Sequence, residues 1–174
     1  MNLSLFSTDE LVALARLDVE ERKMDAALAK IKTALQKDPT HADVVALGAR
    51  IYAQLKLFAR AKELYHTYLE QQPGAITEQF QLGMVTLESG EPINAIQIWQ
   101  DVLEAAPTHP PALFYSGLAS LELGRKEEAQ RYLDILIKSA PLDNLYFGRA
   151  QEVMQQLNNA QAPAQTKAPD EIYQ

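Results

Sequence analysis

A chain of 174 residues with 47% apolar residues is sized for one domain with a buried core or for a short repeat array. It has no cysteine and only seven glycines, which excludes disulfides, thiolate metal sites and thiol nucleophiles and argues against turn-rich sheets. A net charge of −7 with no basic stripe makes nucleic-acid binding unexpected.

The charge is uneven: residues 1–75 hold ten Lys/Arg and ten Asp/Glu, whereas residues 76–174 hold six and thirteen. Such a surplus reads first as solubility. The opening MNLSLFSTDE lacks a basic stretch followed by an apolar run, so no secretory signal is expected. No window approaches ~18 consecutive apolar residues, so no membrane span is expected and the chain reads as cytoplasmic.

One spacing organises the chain. Pro39, Pro73, Pro107 and Pro141 are 34 residues apart, and so are Ala27, Ala61, Ala95 and Ala129. The small residues Ala15, Ala49, Gly83 and Gly117 keep the same step, as do Leu35, Leu69, Leu103 and Ile137. The sequence therefore divides into units 8–41, 42–75, 76–109 and 110–143. In the first unit Arg22 stands where later units have Gly90 and Gly124, which predicts a looser turn. In the third, EQFQLGMVTLES and INAIQIWQDVLEA flank Ser89-Gly90-Glu91-Pro92. Phe80, Gly83, Met84 and Leu87 recur at three and four, as one helical face requires. Pro92 suits the first turn of the second helix, and each unit-ending proline stops a helix. The small residues on the two helices are expected to meet where the helices cross. After Asp143, residues 144–158 read as a further helix with the stripe Phe147, Ala150, Val153, Met154 and Leu157, capping the stack. Residues 159–174, rich in Ala, Pro and Gln, read as a disordered tail.

Catalytic chemistry is not legible. No phosphate-cradling glycine loop, H-E-x-x-H or G-x-S-x-G occurs, so no catalytic residue, cofactor or metal site is assigned and the chain does not read as an enzyme. The tripeptide PTH occurs twice, ending in His41 and His109. These histidines lie two whole units apart, ~20 Å in a stack of helices ~8–10 Å apart, too far to share a metal bound at ~2 Å. They read as polar turn residues.

The 34-residue period with its alanine and proline places resembles the tetratricopeptide repeat family. The resemblance is clearest at Leu82-Gly83, Gly90, Ala95, Trp99 and Pro107, then at Gly117, Leu123-Gly124, Ala129 and Pro141. The second unit departs, with Gly48 where the family favours leucine and Tyr68 where it favours a small residue, which reads as a local exchange of volume. The resemblance implies an all-α, right-handed superhelix (an α-solenoid) of antiparallel helix pairs, whose concave face binds protein segments. By the family's pattern that groove is lined from the first helices. The fifth places hold Val12, Ala46, Phe80 and Phe114, and the ninth Arg16, Arg50, Met84 and Leu118. The twelfth hold Val19, Ala53, Leu87 and Leu121. Arg16 and Arg50 would form a cationic half, and Phe80, Met84, Leu87, Phe114, Leu118 and Leu121 an apolar half. The expected partner is an amphipathic segment bearing carboxylates and large apolar side chains. The alternative is that the arginines pair with Asp9, Glu20 or Asp43 and that Phe80 and Phe114 belong to the core. Members that clamp a chaperone's terminal carboxylate use lysine and asparagine at the fifth, sixth and ninth places, which Val12, Leu47 and Arg16 do not match. The leading function is a non-enzymatic adaptor or scaffold. A small secretion or assembly chaperone for an apolar client, and a self-assembling structural protein, are the alternatives.

Overall fold

The computed structural model describes residues 2–161, which form a 3-10 turn at Leu3–Leu5 and then nine α-helices, with no strand among the described residues. First helices are α1 (Thr8–Glu20), α3 (Ala42–Gln54), α5 (Ile76–Glu88) and α7 (Pro110–Glu122). Second helices are α2 (Met24–Lys37), α4 (Phe58–Gln71), α6 (Pro92–Ala105) and α8 (Lys126–Ser139), followed by α9 (Leu145–Gln161). Every start recurs at 34 residues. Each helix packs on the one before and the one after, and α1 also touches α3 and α7 touches α9. The result is the all-α solenoid of helix pairs. Residues 159–161, expected to belong to a disordered tail, instead continue α9; the rest of that tail, from residue 162 on, lies outside the described residues.

The chain makes these helices for local reasons. Ser7 and Glu10 form a capping box: the Ser7 hydroxyl accepts from the Glu10 N–H at 3.2 Å, and the Ser7 N–H donates to Glu10 Oε2 at 2.7 Å. Pro92 and Pro110 open α6 and α7, where a missing N–H costs nothing. Inside each hairpin one residue takes a left-handed conformation: Arg22 at φ 60°, Lys56 at 57°, Gly90 at 85° and Gly124 at 75°. The same two backbone bonds close all four turns. In the first, the Arg22 N–H reaches the Val19 carbonyl and the Lys23 N–H the Asp18 carbonyl; in the last, Gly124 reaches Leu121 and Arg125 reaches Ser120. The looser first turn expected from Arg22 is therefore not what forms. Packing of the two helices imposes the tight turn, and Arg22 and Lys56 accept a conformation that costs a residue with a Cβ about 1 kcal/mol or more.

The core is a series of four clusters sharing side chains, with Leu28 and Leu35 packed on both the first and second and Leu103 and Tyr115 on both the third and fourth. Ala27, Ala61, Ala95 and Ala129 are wholly buried. Gly83 and Gly117 make room less for those alanines than for one large side chain of the second helix. A Cβ on Gly83 would lie 2.1 Å from Trp99 Nε1, and one on Gly117 3.0 Å from Leu133 Cγ. The bulk beside Gly48 comes from Ile31 and Leu64, each 3.1 Å from where its Cβ would be, so the exchange of volume in the second unit is not made with Tyr68. Polar links fasten the layers. Lys30 and Asp18 pair between α2 and α1 with about a tenth of their side chains exposed. Lys62 on α4 donates to Glu91 at 2.6 Å, and with Asn94 and Ser89 holds that carboxyl at about 2.

Candidate functional site

The first helices leave two hollows that meet. One, of about 290 Å³, lies between α1 and α3 and is lined by Arg16, Val19, Glu20, Asp43, Ala46 and Arg50, with Leu47. The other, of about 530 Å³, lies between α3 and α5, and its lining includes Ala46, Arg50, Ala53, Tyr65, Glu78 and Met84. Ala46 and Arg50 belong to both, so the two form one trough along the first-helix face. Its position follows from side-chain size. The second unit carries Ala46 and Ala53 at the places where the third has Phe80 and Leu87 and the fourth Phe114 and Leu121. Short side chains leave space there; the long ones fill it.

Charge in the trough is mixed. Arg16, Arg50 and Lys56 face Glu20, Asp43, Glu78 and Glu88. Arg16 forms an exposed ion pair with Asp43 at 3.4 Å, whereas Arg50 has no ion-pair partner among the described residues. Tyr65 comes from α4, only 1% exposed, and burial pushes its phenol up to about 12 despite the nearby Arg50. That hydroxyl is neutral at any physiological pH and can donate or accept at the bottom of the trough.

The residues singled out in the sequence separate here. Arg16, Arg50 and Met84 are brought together on the trough. Phe80 and Leu87 pack on the third core cluster, as Met84 also does, but do not line the trough; the Phe80 ring is 6.1 Å from Trp99 and 5.4 Å from His109. Phe114 is 6% exposed and lies against Tyr146 of α9 at 5.4 Å, so it belongs to the core rather than to a groove. Leu118 packs on the fourth cluster beside it, and Leu121 is half-buried outside the trough. The expected cationic places thus lie on a trough of mixed charge centred on Arg50, and the burial of Phe114 follows the core alternative. Tyr65, Glu78 and Lys56 are not legible as site residues in the sequence. Tyr65 occupies the place held by Trp99 and Leu133, which reads as core.

Both PTH histidines precede first helices. His109 Nδ1 accepts the Ala112 N–H at 3.2 Å and caps α7, and burial lowers the pKa of this ring. His41 precedes α3 and sets Nε2 3.1 Å from Asp9 Oδ1. Among the described residues no three His, Cys, Asp or Glu side chains gather as a metal site, and no helix is long and apolar enough to cross a membrane.

The sequence profile of the tetratricopeptide repeat matches residues 18–82 and 86–152. No curated protein matches the chain in sequence. Among solved structures, a tetratricopeptide repeat protein from Parabacteroides merdae superposes with a TM-score of 0.76 at 18% identity, over 88% of this chain and 60% of that one. MamA from AMB-1 superposes with a TM-score of 0.73 at 19% identity, over 80% and 82%. MamA from MSR-1 does so at 0.69 and 18%, over 87% and 79%. At such identities these likenesses speak to fold.

Proposed function

The chain belongs to the tetratricopeptide repeat family, and we propose that it is a non-enzymatic adaptor whose concave trough holds a segment of a partner protein, anchored by a carboxylate on Arg50. One observation carries the reading. Arg16 and Arg50 occupy equivalent places, and Asp43, the partner of Arg16, is equivalent to Thr77 beside Arg50. The first arginine has its carboxylate within the fold; the second has a threonine where that carboxylate would be. A partner's Asp or Glu completes the pattern, with the Thr77 and Tyr65 hydroxyls available as further hydrogen-bond partners and Met84, Ala53 and Val85 as apolar wall. Glu78 and Glu88 favour a basic side chain further along the same segment. The burial of Phe114 removes much of the support for a chaperone of a mainly apolar client.

Thr77→Asp supplies Arg50 with the acid that the first unit already has, at a helix N-terminus where an acid is favourable. Affinity capture from the native cell with wild type, Thr77→Asp, Arg50→Glu and Arg16→Ala tests the idea. Partners held by the trough should be lost with Thr77→Asp and Arg50→Glu and kept with Arg16→Ala. Equal recovery of every partner by all four proteins would refute it.

A further inference from the structure

On the opposite side of the stack, second helices α6 and α8 leave a cleft of about 360 Å³, at the lower end of ligand-pocket sizes of ~300–1,000 Å³. Leu103, Leu113, Tyr132 and Ile135 line it with Pro107, and Glu104 is the charged residue in its wall. The other units act as internal controls. At the place of Ile135 they carry Thr33, Thr67 and Asp101, so the fold accepts a polar residue there. In the third unit the places of Leu113 and Ile135 hold Gln79 and Asp101, whose side chains meet at 3.4 Å. The fourth unit has Leu113 and Ile135 there: Leu113 is buried in the core, as Leu11 and Val45 are at the same place, whereas Ile135 is 45% exposed. Packing within the chain does not require an apolar residue at 135.

We infer that the α6–α8 cleft is a second docking site, separate from the trough, for a partner segment that inserts a large apolar side chain and sets a lysine or arginine against Glu104. The apolar part follows from the lining. The basic part follows from charge: Glu104 is in the wall, and residues 76–174 carry thirteen acids against six bases. An acidic segment would meet Glu104 and a net negative charge on this half of the chain.

A fluorescent amphipathic peptide built only of leucine and lysine serves as the probe, read by anisotropy against the full chain, with a leucine–glutamate peptide as its counterpart. Wild type should bind the first and not the second. Ile135→Thr restores the residue of the first two units without altering charge, and should weaken binding about tenfold by removing buried methyl groups. Leu113→Gln with Ile135→Asp copies the third unit and should remove binding, although it adds an acid that attracts lysine. Arg50→Glu makes the trough more acidic, so a lysine peptide seated there would bind more tightly, whereas binding at the cleft should not change. Unchanged affinity in Ile135→Thr, tighter binding in Arg50→Glu, or equal binding of the glutamate peptide would each overturn the inference. Circular dichroism melts confirm folding, and if the double variant does not fold, Ile135→Thr alone decides.

Discussion

Gly83→Ala tests the packing of the third hairpin at its closest point. The added Cβ would stand 2.1 Å from Trp99 Nε1, 2.6 Å from Cδ1 and 2.7 Å from Cε2, so the whole indole edge must retreat by more than about 1 Å to reach ordinary contact. Trp99 is wholly buried and its N–H donates to the Phe80 carbonyl at 3.1 Å, so the retreat also breaks a hydrogen bond. Overpacking costs about 1–3 kcal/mol and an unmade buried bond about 1–3 more, while alanine regains about 1 kcal/mol of helix propensity. The expected net loss is about 1–5 kcal/mol. At Gly117 the nearest atoms are Cγ and Cδ2 of Leu133, at 3.0 and 3.1 Å, which need give only a few tenths of an ångström, and Gly117→Ala should cost less than about 1 kcal/mol. Trp99 is the only tryptophan, so urea unfolding can be followed by its fluorescence and by circular dichroism together. In a Trp99→Leu background, which copies Leu133 and is followed by circular dichroism alone, the cost of the same alanine should fall below about 1 kcal/mol. A loss under about 1 kcal/mol in the native background, or an equal cost in both backgrounds, would show that the indole does not set the size of residue 83.

Three further outcomes are expected. Arg22→Gly and Lys56→Gly each relieve a left-handed residue and should stabilise by about 1 kcal/mol in urea unfolding; a loss at both sites would mean the turns carry no such cost. Asp18→Asn leaves Lys30 buried without its charge partner and should cost about 3 kcal/mol, whereas Asp18→Tyr with Lys30→Leu copies Tyr52 and Leu64 of the second unit and should recover most of it, as thermal melts can compare. His109 takes up a proton less readily folded than unfolded, so the stability it supplies is complete above its ordinary value of 6.5 and is lost as pH falls below it. Between pH 7.5 and 5.5 the melting temperature should therefore drop further for wild type than for His109→Asn, which keeps a capping side chain but does not titrate; equal drops would count against the cap.

The helices are legible in the sequence because their causes are local and repeated. Prolines at the unit ends, alanines at the crossings and apolar residues at three and four place every first helix at a 34-residue step, and the structure keeps that step. What escapes the sequence depends on contacts between distant residues. Arg22 predicts a looser turn, but the packing of α1 on α2 outweighs its preference and sets it at φ 60°. Phe114 follows the same pattern as Phe80, yet α9 covers it through Tyr146, and nothing in the repeat says where the final helix will lie. The trough is half legible, since Ala46 and Ala53 are visibly small, while Tyr65 rises into it from a place that otherwise reads as core. A repeat array thus supplies its own controls. Where all four units agree, at Ala27, Ala61, Ala95 and Ala129, the residue answers to packing, and its burial is complete. Where units differ at an exposed place with no packing reason, as at Thr77 beside Arg50 and at Ile135 in the α6–α8 cleft, packing does not explain the residue, and these are the places at which the proposed partners are to be tested.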